Sequence, residues 1–263
     1  MAAANQDIPG FSFLDKLYEE YVMLLANIAL VVGAYLLGSL PYMILLGRAR
    51  GIDLSHEEDL HMALWNKAGR LYGLSGIVVD ALKGVIPIVV GFSFHLDLAA
   101  ITASGVAAVT GQMWPVFRKF DGEKGNTTGI GFVIALTAYL TATISPLAYV
   151  VFIIFAIPIL IGGGIRTVPR FMAPGQTINE RLMLGGPVSN SMPLGMLIGF
   201  TAAPLASAIL GQPPEMTWAF RAVLVVIIIR RLTAGLRKDL KTATTSVGAI
   251  LLNRFLYDRS YFQ

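Results

Sequence analysis

The chain contains no cysteine, and this absence excludes disulfide bonds, thiolate catalysis and metal sites with cysteine ligands. Charged residues are scarce as well: they make up 14% of the 263 residues, whereas a soluble domain carries about 25%. The first twenty residues hold one cation, Lys16, so the basic n-region of a signal peptide is also missing. No nucleic-acid partner, cofactor or metal is expected.

Apolar residues take the place of the missing charges. They make up 55% of the chain, and the mean hydropathy is +0.68. A transmembrane helix needs about 20 mostly apolar residues, so we predict an all-α, polytopic membrane helix bundle with about seven transmembrane helices. The predicted spans are 23–46, 71–95, 98–117, 128–143, 146–165, 192–210 and 217–233.

The positive charges predict the orientation of these spans. Lysine and arginine cluster after the first, third, fifth and seventh spans, whereas Lys16 is nearly alone on the other side. By the positive-inside rule the N-terminus is outside and the C-terminus is cytoplasmic. We therefore expect an extracytoplasmic segment over 1–22, a membrane domain over 23–241 and an interfacial, partly amphipathic tail over 242–263.

A glycine-rich loop between the third and fourth spans contains the kinds of group that bind a phosphate. Gly122 and Gly125 free the backbone, Lys124 supplies a cation, and Thr127 or Thr128 supplies a hydroxyl at the start of a predicted helix. The spacing does not match a Walker A loop. The alternative is a tight turn that caps the fourth span, in which Lys124 only adds to the positive charge of the cytoplasmic loops.

Two further polar groups stand out. Asp80 and Lys83 lie inside the second span, three residues apart and so on one helical face. Charged residues at membrane depth are usually functional or paired. The alternative to a functional role is an ion pair that only packs the bundle. His56 and His61 flank an acidic run and are weak candidates for a catalytic base. The alternative is a solvated loop, because the run does not match His-Glu-x-x-His.

Several short motifs resemble, in the same order, those of the bacterial PlsY family, the membrane acyl-phosphate:glycerol-3-phosphate acyltransferases. The similar segments are Leu37-Gly-Ser-Leu-Pro41, Leu45-Leu-Gly-Arg48, Gly51-Ile-Asp53, Asp80-Ala-Leu-Lys-Gly84, the loop from Gly111 to Gly131, and Arg231-Leu232 with Gly235. The resemblance implies seven spans in a bacterial plasma membrane, with active loops in the cytoplasm. It also implies acyl phosphate and glycerol 3-phosphate as substrates, membrane lipid as surroundings and lysophosphatidic acid as product.

The resemblance assigns the phosphate of glycerol 3-phosphate to Gly122, Lys124, Gly125, Thr128 and Ser189. The chain departs from the family pattern at polar positions: Gln112, Asp121 and Glu123 stand where the family has histidine, lysine and glycine, and the first family motif is replaced near 56–63. Residues 163–187 have the character of a cytoplasmic insertion. The alternative functions are a catalytically altered or inactive relative that binds lipid or acts as a scaffold, and a small transporter or channel.

Overall fold

The computed structural model describes residues 9–54, 57, 59–172, 190–242 and 245–258. Over these residues the chain is all-helical, with no strand, which confirms the predicted fold class. The helices are α1 (Pro9–Ser39), α2 (Tyr42–Ala49), α3 (Leu60–Lys67), α4 (Arg70–Ser93), α5 (Leu98–Met113), α6 (Asn126–Thr143), α7 (Ala148–Met172), α8 (Ser191–Ile209), α9 (Pro214–Thr233), α10 (Leu236–Thr242) and α11 (Val247–Tyr257).

Four segments of these helices are long and apolar enough to cross a membrane. They are Phe13–Ser39 in α1, Arg70–Ser93 in α4, Ala148–Val168 in α7 and Ser191–Ile209 in α8. The other three predicted spans coincide with α5, α6 and α9. Helix α5 has 16 residues, and α9 carries Glu215 and three arginines among its 20 residues, which lowers its hydropathy.

The predicted boundaries of the first span differ from the structure. Helix α1 begins well before residue 23 and ends at Ser39, and α2 starts only at Tyr42. The break falls at Pro41, because proline lacks an N–H and disfavours helical geometry in the residue before it. The fifth predicted span is part of α7, which continues to Met172. The first part of 163–187 is therefore helical, and 173–187 lies outside the described residues.

The main core takes buried side chains from α1, α4 and the five helices α5 to α9. Val109 of α5, Phe132 of α6, Phe155 of α7, Phe200 of α8 and Phe220 of α9 are each at most 2% exposed. Phe132 meets Phe220, and Phe155 meets Phe200, at ring-centroid distances of 5.8 and 5.1 Å in edge-to-face arrangements. This core fixes α6, whose first turn borders a polar cavity.

Helices α4 and α6 approach closely because each places a glycine at the contact. A Cβ on Gly84 would lie 2.1 Å from the Thr128 carbonyl oxygen, and a Cβ on Gly131 would lie 2.0 Å from the Ala81 carbonyl oxygen. Small residues at such contacts allow helix backbones to pack in membranes. The close packing brings Asp80 of α4 beside Thr128, where the Thr128 hydroxyl donates to the Asp80 carbonyl oxygen at 2.9 Å.

Candidate functional site

A polar cavity of about 150 Å³ lies at the start of α6. Charged and polar side chains from α3, α4, α5 and the loop before α6 line it. The lining residues are Asp59, Leu60, His61, Asp80, Gln112, Glu123, Lys124, Gly125, Asn126, Thr127, Thr128 and Met196. The predicted glycine-rich loop therefore borders a cavity, and residues distant in sequence complete it.

The loop holds its shape by folding back onto the end of α5. The Gly122 N–H donates to the Met113 carbonyl oxygen at 3.2 Å, and the Glu123 N–H donates to the Gln112 carbonyl oxygen at 3.0 Å. A Cβ on Gly122 would lie 2.3 Å from the same Gln112 oxygen, so only glycine fits there. Gly125 has φ +67° immediately before α6, a conformation that favours glycine.

Helix α9 secures the outer side of this loop. The Arg230 guanidinium donates to the Gly122 carbonyl oxygen and to Asp121 Oδ1 at 3.3 Å. Asp121 is itself 87% exposed and does not line the cavity. Residues 121–123 of the loop are thus held from two sides, by α5 and by α9.

Asp80 is the buried centre of the site, with a side chain that is 2% exposed. Lys83 Nζ lies 3.0 Å from Asp80 Oδ1, and Gln112 Nε2 donates to Asp80 Oδ2 at 3.1 Å. Lys83 also donates to Gln112 Oε1 at 2.6 Å and to the Leu40 carbonyl oxygen at 2.7 Å. The structure therefore forms the predicted Asp80–Lys83 pair and balances its charges, as burial requires.

His61 joins this centre from α3. Its Nε2 lies 3.2 Å from Asp80 Oδ2 and 3.8 Å from Glu123 Oε2. Asp59 positions α3 as its N-cap by accepting from the Met62 N–H at 3.1 Å. Burial lowers the pKa of His61. The hydrogen bond and charge of Asp80, with the charges of Glu123 and Asp59, raise it by more, so the net pKa lies above its ordinary value.

Glu123 has an unusual environment for an acid in a loop. Burial and the charge of Asp80 raise its pKa to about 7, while the positive charges of His61, Lys83 and Arg118 oppose this shift. Because the two groups face each other, Glu123 and His61 titrate as a pair rather than independently. The site thus contains a carboxyl group that exchanges its proton near neutral pH.

Lys124 lines the cavity but already has an anionic partner. Its Nζ lies 3.2 Å from Asp258 Oδ2 and donates to the Asp258 carbonyl oxygen at 3.1 Å. The Lys124 side chain is 57% exposed, whereas that of Asp258 is 8% exposed. Asp258 follows α11, so the C-terminal segment reaches the predicted phosphate loop.

The predicted site residues are only partly assembled. Lys124, Gly125 and Thr128 line one cavity with His61 and Asp80, whereas Gly122 shapes the loop without lining it. The Thr128 hydroxyl is fully buried and donates to the backbone carbonyl oxygen of Asp80, so it joins α6 to α4 rather than pointing at a ligand. His56 and Ser189 lie outside the described residues.

Two residues of the site were missed in the sequence as functional groups. Glu123 was interpreted only as a departure from the family pattern, and Asp258 was not considered. A usable signal existed for Glu123, because it precedes the candidate phosphate lysine directly. No local signal links Asp258 to Lys124, since 134 residues separate them.

His61, Asp80 and Glu123 are the described residues that could hold a metal ion. One ligand atom from each lies within 4.8 Å of the others. However, Asp80 is already bonded to Lys83 and Gln112, and a proton on His61 Nε2 satisfies the facing carboxylates. The geometry needs no ion, and the absence of a metal stays a prediction.

This architecture, an all-helical bundle with membrane-spanning segments around a charged cavity, is that of a helical membrane protein. A model of the family described as glycerol-3-phosphate acyltransferase matches residues 28–166, more than half of the chain. The chain belongs to that family.

Individual relatives agree with this assignment. The chain is 35% identical over 115 residues to a glycerol-3-phosphate acyltransferase of Geotalea daltonii, a match that covers 43% of this chain and 59% of that one. A relative from Aquifex aeolicus is 37% identical over 112 residues, covering 41% and 58%. The chain thus spans less than two thirds of these two relatives. Glycerol-3-phosphate acyltransferase 5 of Dehalococcoides mccartyi is 25% identical over 248 residues, covering 90% of each chain.

Solved structures show the same fold. The crystal structure of PlsY (YgiH), an integral membrane glycerol 3-phosphate acyltransferase, in its glycerol 3-phosphate form aligns with a TM-score of 0.56 and 24% identity. That alignment covers 82% of this chain and 90% of the other. The lysophosphatidic acid form of the same protein gives a TM-score of 0.55, again at 24% identity, covering 82% and 92%.

Proposed function

We propose that this protein transfers a fatty acyl group from acyl phosphate to glycerol 3-phosphate and so makes lysophosphatidic acid, the first step of phospholipid synthesis. The observation that carries the proposal is the cavity at the start of α6, where Lys124 and Gly125 lie within the region matched by the family. Relatives named glycerol-3-phosphate acyltransferase and a similar fold crystallised in a glycerol 3-phosphate form support this choice of substrate.

The start of α6 has the chemistry to hold a phosphate. The first N–H groups of a helix have no partner within that helix, and the helix dipole favours an anion at this end. Asn126, Thr127 and Thr128 supply these N–H groups around the cavity, and the ammonium of Lys124 supplies a full positive charge. Glycerol 3-phosphate bound there would present its hydroxyls to the rest of the cavity.

Acyl phosphate needs little activation from the protein. The acceptor hydroxyl attacks the acyl carbonyl, and phosphate leaves with the electrons of the bond that breaks. Holding the two reactants in line and stabilising the developing charge can then supply much of the rate. No enzymic nucleophile is required, in keeping with the absence of cysteine.

The test is turnover by the detergent-purified protein with acyl phosphate and labelled glycerol 3-phosphate, with acyl-CoA as a separate donor. We expect lysophosphatidic acid from acyl phosphate. Lys124→Ala removes a charge-assisted contact worth about 1.5–3 kcal/mol, so the KM for glycerol 3-phosphate should rise by at least about ten-fold. An unchanged KM would remove Lys124 from the phosphate site, and no product from folded protein would reject the acyltransferase.

A second candidate function is that of an inactive relative that binds lipid or serves as a scaffold. It is favoured by the acidic side chains that line the cavity, Asp59, Asp80 and Glu123, because carboxylates oppose the binding of a phosphate. Lys124 is also occupied by Asp258. Under this hypothesis the protein shows no turnover with either donor while a family enzyme is active in parallel.

The proposed topology is seven spans with the N-terminus outside and the cavity on the cytoplasmic side of the plasma membrane. It is supported by the clustering of arginine and lysine in alternate loops and by seven helices that overlap the predicted spans. Substrates would then enter from the cytosol, and the product would leave into the membrane.

A further inference from the structure

The C-terminal helix α11 ends beside the candidate phosphate loop. Ser246 is its N-cap and accepts from the Ala249 N–H at 3.3 Å. Asp258 follows the helix with φ +57°, and its N–H donates to the Arg254 carbonyl oxygen at 2.9 Å. This helix end brings Asp258 to Lys124, and we refer to α11 together with Asp258 as the strap.

Two buried arginines hold the strap against the bundle. Arg231 of α9 donates to the Phe255 carbonyl oxygen at 3.1 Å and to the Pro193 carbonyl oxygen at 2.9 Å. Phe255 lies in the last turn of α11, where the carbonyl groups have no partner within the helix. Arg254 of α11 donates to Asp239 Oδ2 of α10 at 2.7 Å. The strap is therefore docked by groups that do not line the polar cavity.

Lys124 is the point where the docked strap meets the cavity. The Lys124 ammonium holds both the carboxylate of Asp258, at 3.2 Å, and its backbone carbonyl oxygen, at 3.1 Å. A phosphate bound by Lys124 would compete for these donors, and its charge would repel the Asp258 carboxylate. Because the backbone of Asp258 is held as well as its side chain, giving up Lys124 displaces the chain itself and not only one rotamer.

We infer that the strap is a phosphate-responsive closing element: when docked it occupies Lys124, and phosphate binding at Lys124 favours its release. The inference rests on the phosphate site of the proposed function. Coupling between two binding events is reciprocal, so a change that loosens the strap should tighten phosphate binding, even when the change lies outside the cavity. The strap follows the residues 28–166 that the family model matches, so this control is added to the shared fold rather than part of it.

The contact that is exchanged sets the size of the effect. A ligand shifts a conformational equilibrium only by the difference between its affinities for the two states. The Lys124 side chain is 57% exposed, and an ion pair with such exposure is weak. Phosphate should therefore favour release of the strap by about two- to five-fold, and release should favour phosphate binding by the same factor.

Cysteine labelling measures release directly, because the chain has no cysteine of its own. Ile250 of α11 is 1% exposed and Leu252 is 57% exposed, so Ile250→Cys reports undocking and Leu252→Cys is the control on the same helix. In the detergent-purified protein, inorganic phosphate should speed maleimide labelling of Ile250→Cys by about two- to five-fold and leave that of Leu252→Cys unchanged. Adding Lys124→Ala should give the faster rate without phosphate. A labelling rate of Ile250→Cys that phosphate leaves unchanged or lowers would overturn the inference.

A substitution outside the cavity gives a second readout, which still decides the matter where Ile250→Cys undocks the strap by itself. Asp239→Ala removes the anchor of Arg254 and does not alter the lining of the cavity. Its Kd for inorganic phosphate, measured by isothermal titration calorimetry, should fall by about two- to five-fold. Glu57→Ala is the matched control, because it breaks the ion pair with Lys67 instead, and its Kd should equal that of wild type.

The outcomes separate the strap from the acyl transfer. An unchanged or higher phosphate Kd in Asp239→Ala would overturn the inference, because displacement of the Asp258 side chain alone does not depend on how Arg254 is anchored. Turnover without any phosphate effect on labelling would keep the acyltransferase and reject the strap. Phosphate-dependent labelling in a protein without turnover would reject the acyltransferase and support the strap.

Discussion

At the scale of single residues, His61 supports Glu123 by its charge. The protonated ring lies 3.8 Å from Glu123 Oε2 and lowers the pKa of that carboxyl group against the effects of burial and Asp80. In His61→Gln the pKa of Glu123 should therefore rise above about 7. Less of the carboxylate should then exist at neutral pH, and the protonated carboxyl group should persist to higher pH than in wild type.

The measurement is the infrared band of the protonated Glu123 carboxyl group in His61→Gln and wild type against pH, assigned with Glu123→Gln, with a circular dichroism spectrum as a control for folding. The titration of this band should move to higher pH in His61→Gln. A titration that stayed in place or moved to lower pH would contradict this role.

At the scale of elements, the position of Asp80 depends on the contact between α4 and α6. A Cβ on Gly84 would lie 2.1 Å from the Thr128 carbonyl oxygen. This oxygen belongs to the backbone, which cannot move aside as a flexible side chain can. Gly84→Ala should therefore push the helices apart at a cost of about 1–3 kcal/mol. Both thermal stability in detergent and affinity for glycerol 3-phosphate should fall.

Gly33→Ala is the matched control for this substitution. Gly33 lies within α1, and a Cβ added there would meet no atom within 4 Å. Alanine favours helix over glycine by up to about 1 kcal/mol, so this variant should be as stable as wild type or slightly more so. Equal melting temperatures for the Gly84 and Gly33 variants would show that the α4–α6 approach is not tight.

Helix α11 reaches the site through Asp258, the residue that follows its C-terminal end. Arg254 of α11 is anchored by Asp239, and Asp258 just beyond the helix pairs with Lys124. A substrate phosphate must compete with this carboxylate for the Lys124 ammonium. Because Lys124 is 57% exposed, the ion pair is worth at most about 1 kcal/mol.

Asp258→Asn should therefore lower the KM for glycerol 3-phosphate by up to about five-fold, with kcat unchanged. Glu57→Gln is the control, because it breaks the ion pair with Lys67, which does not border the cavity. A higher KM in Asp258→Asn would mean that Asp258 positions Lys124 for the phosphate rather than competing with it.

At the scale of the whole molecule, local patterns predicted the helices and the contacts within them. The second predicted span, 71–95, nearly coincides with α4 (Arg70–Ser93), and three-residue spacing was enough to pair Asp80 with Lys83. Contacts between distant segments were not predictable. Those of His61 with Asp80 and of Lys124 with Asp258 depend on how α3 and α11 dock, which no periodicity within one helix encodes.

The topology is decided by whether α5 crosses the membrane. With 16 residues at about 1.5 Å per residue, α5 is roughly 24 Å long, shorter than the hydrocarbon core of about 30 Å. If α1, α4 and α5 all cross, Lys16 and Lys119 lie on opposite sides. If α5 does not cross, they lie on the same side. Lys238 lies on the same side as Lys119 if the four helices α6 to α9 all cross.

Because the chain has no cysteine, each position can be tested by one substitution in an unlabelled background. We expect a membrane-impermeant maleimide to label Lys16→Cys in intact spheroplasts, and to label Lys119→Cys and Lys238→Cys only after permeabilisation. All three side chains are exposed, so a failure to label reflects the membrane rather than burial. Labelling of Lys119→Cys in intact spheroplasts would place the cavity on the outer face, away from cytosolic glycerol 3-phosphate, and would contradict both the topology and the proposed access of the substrate.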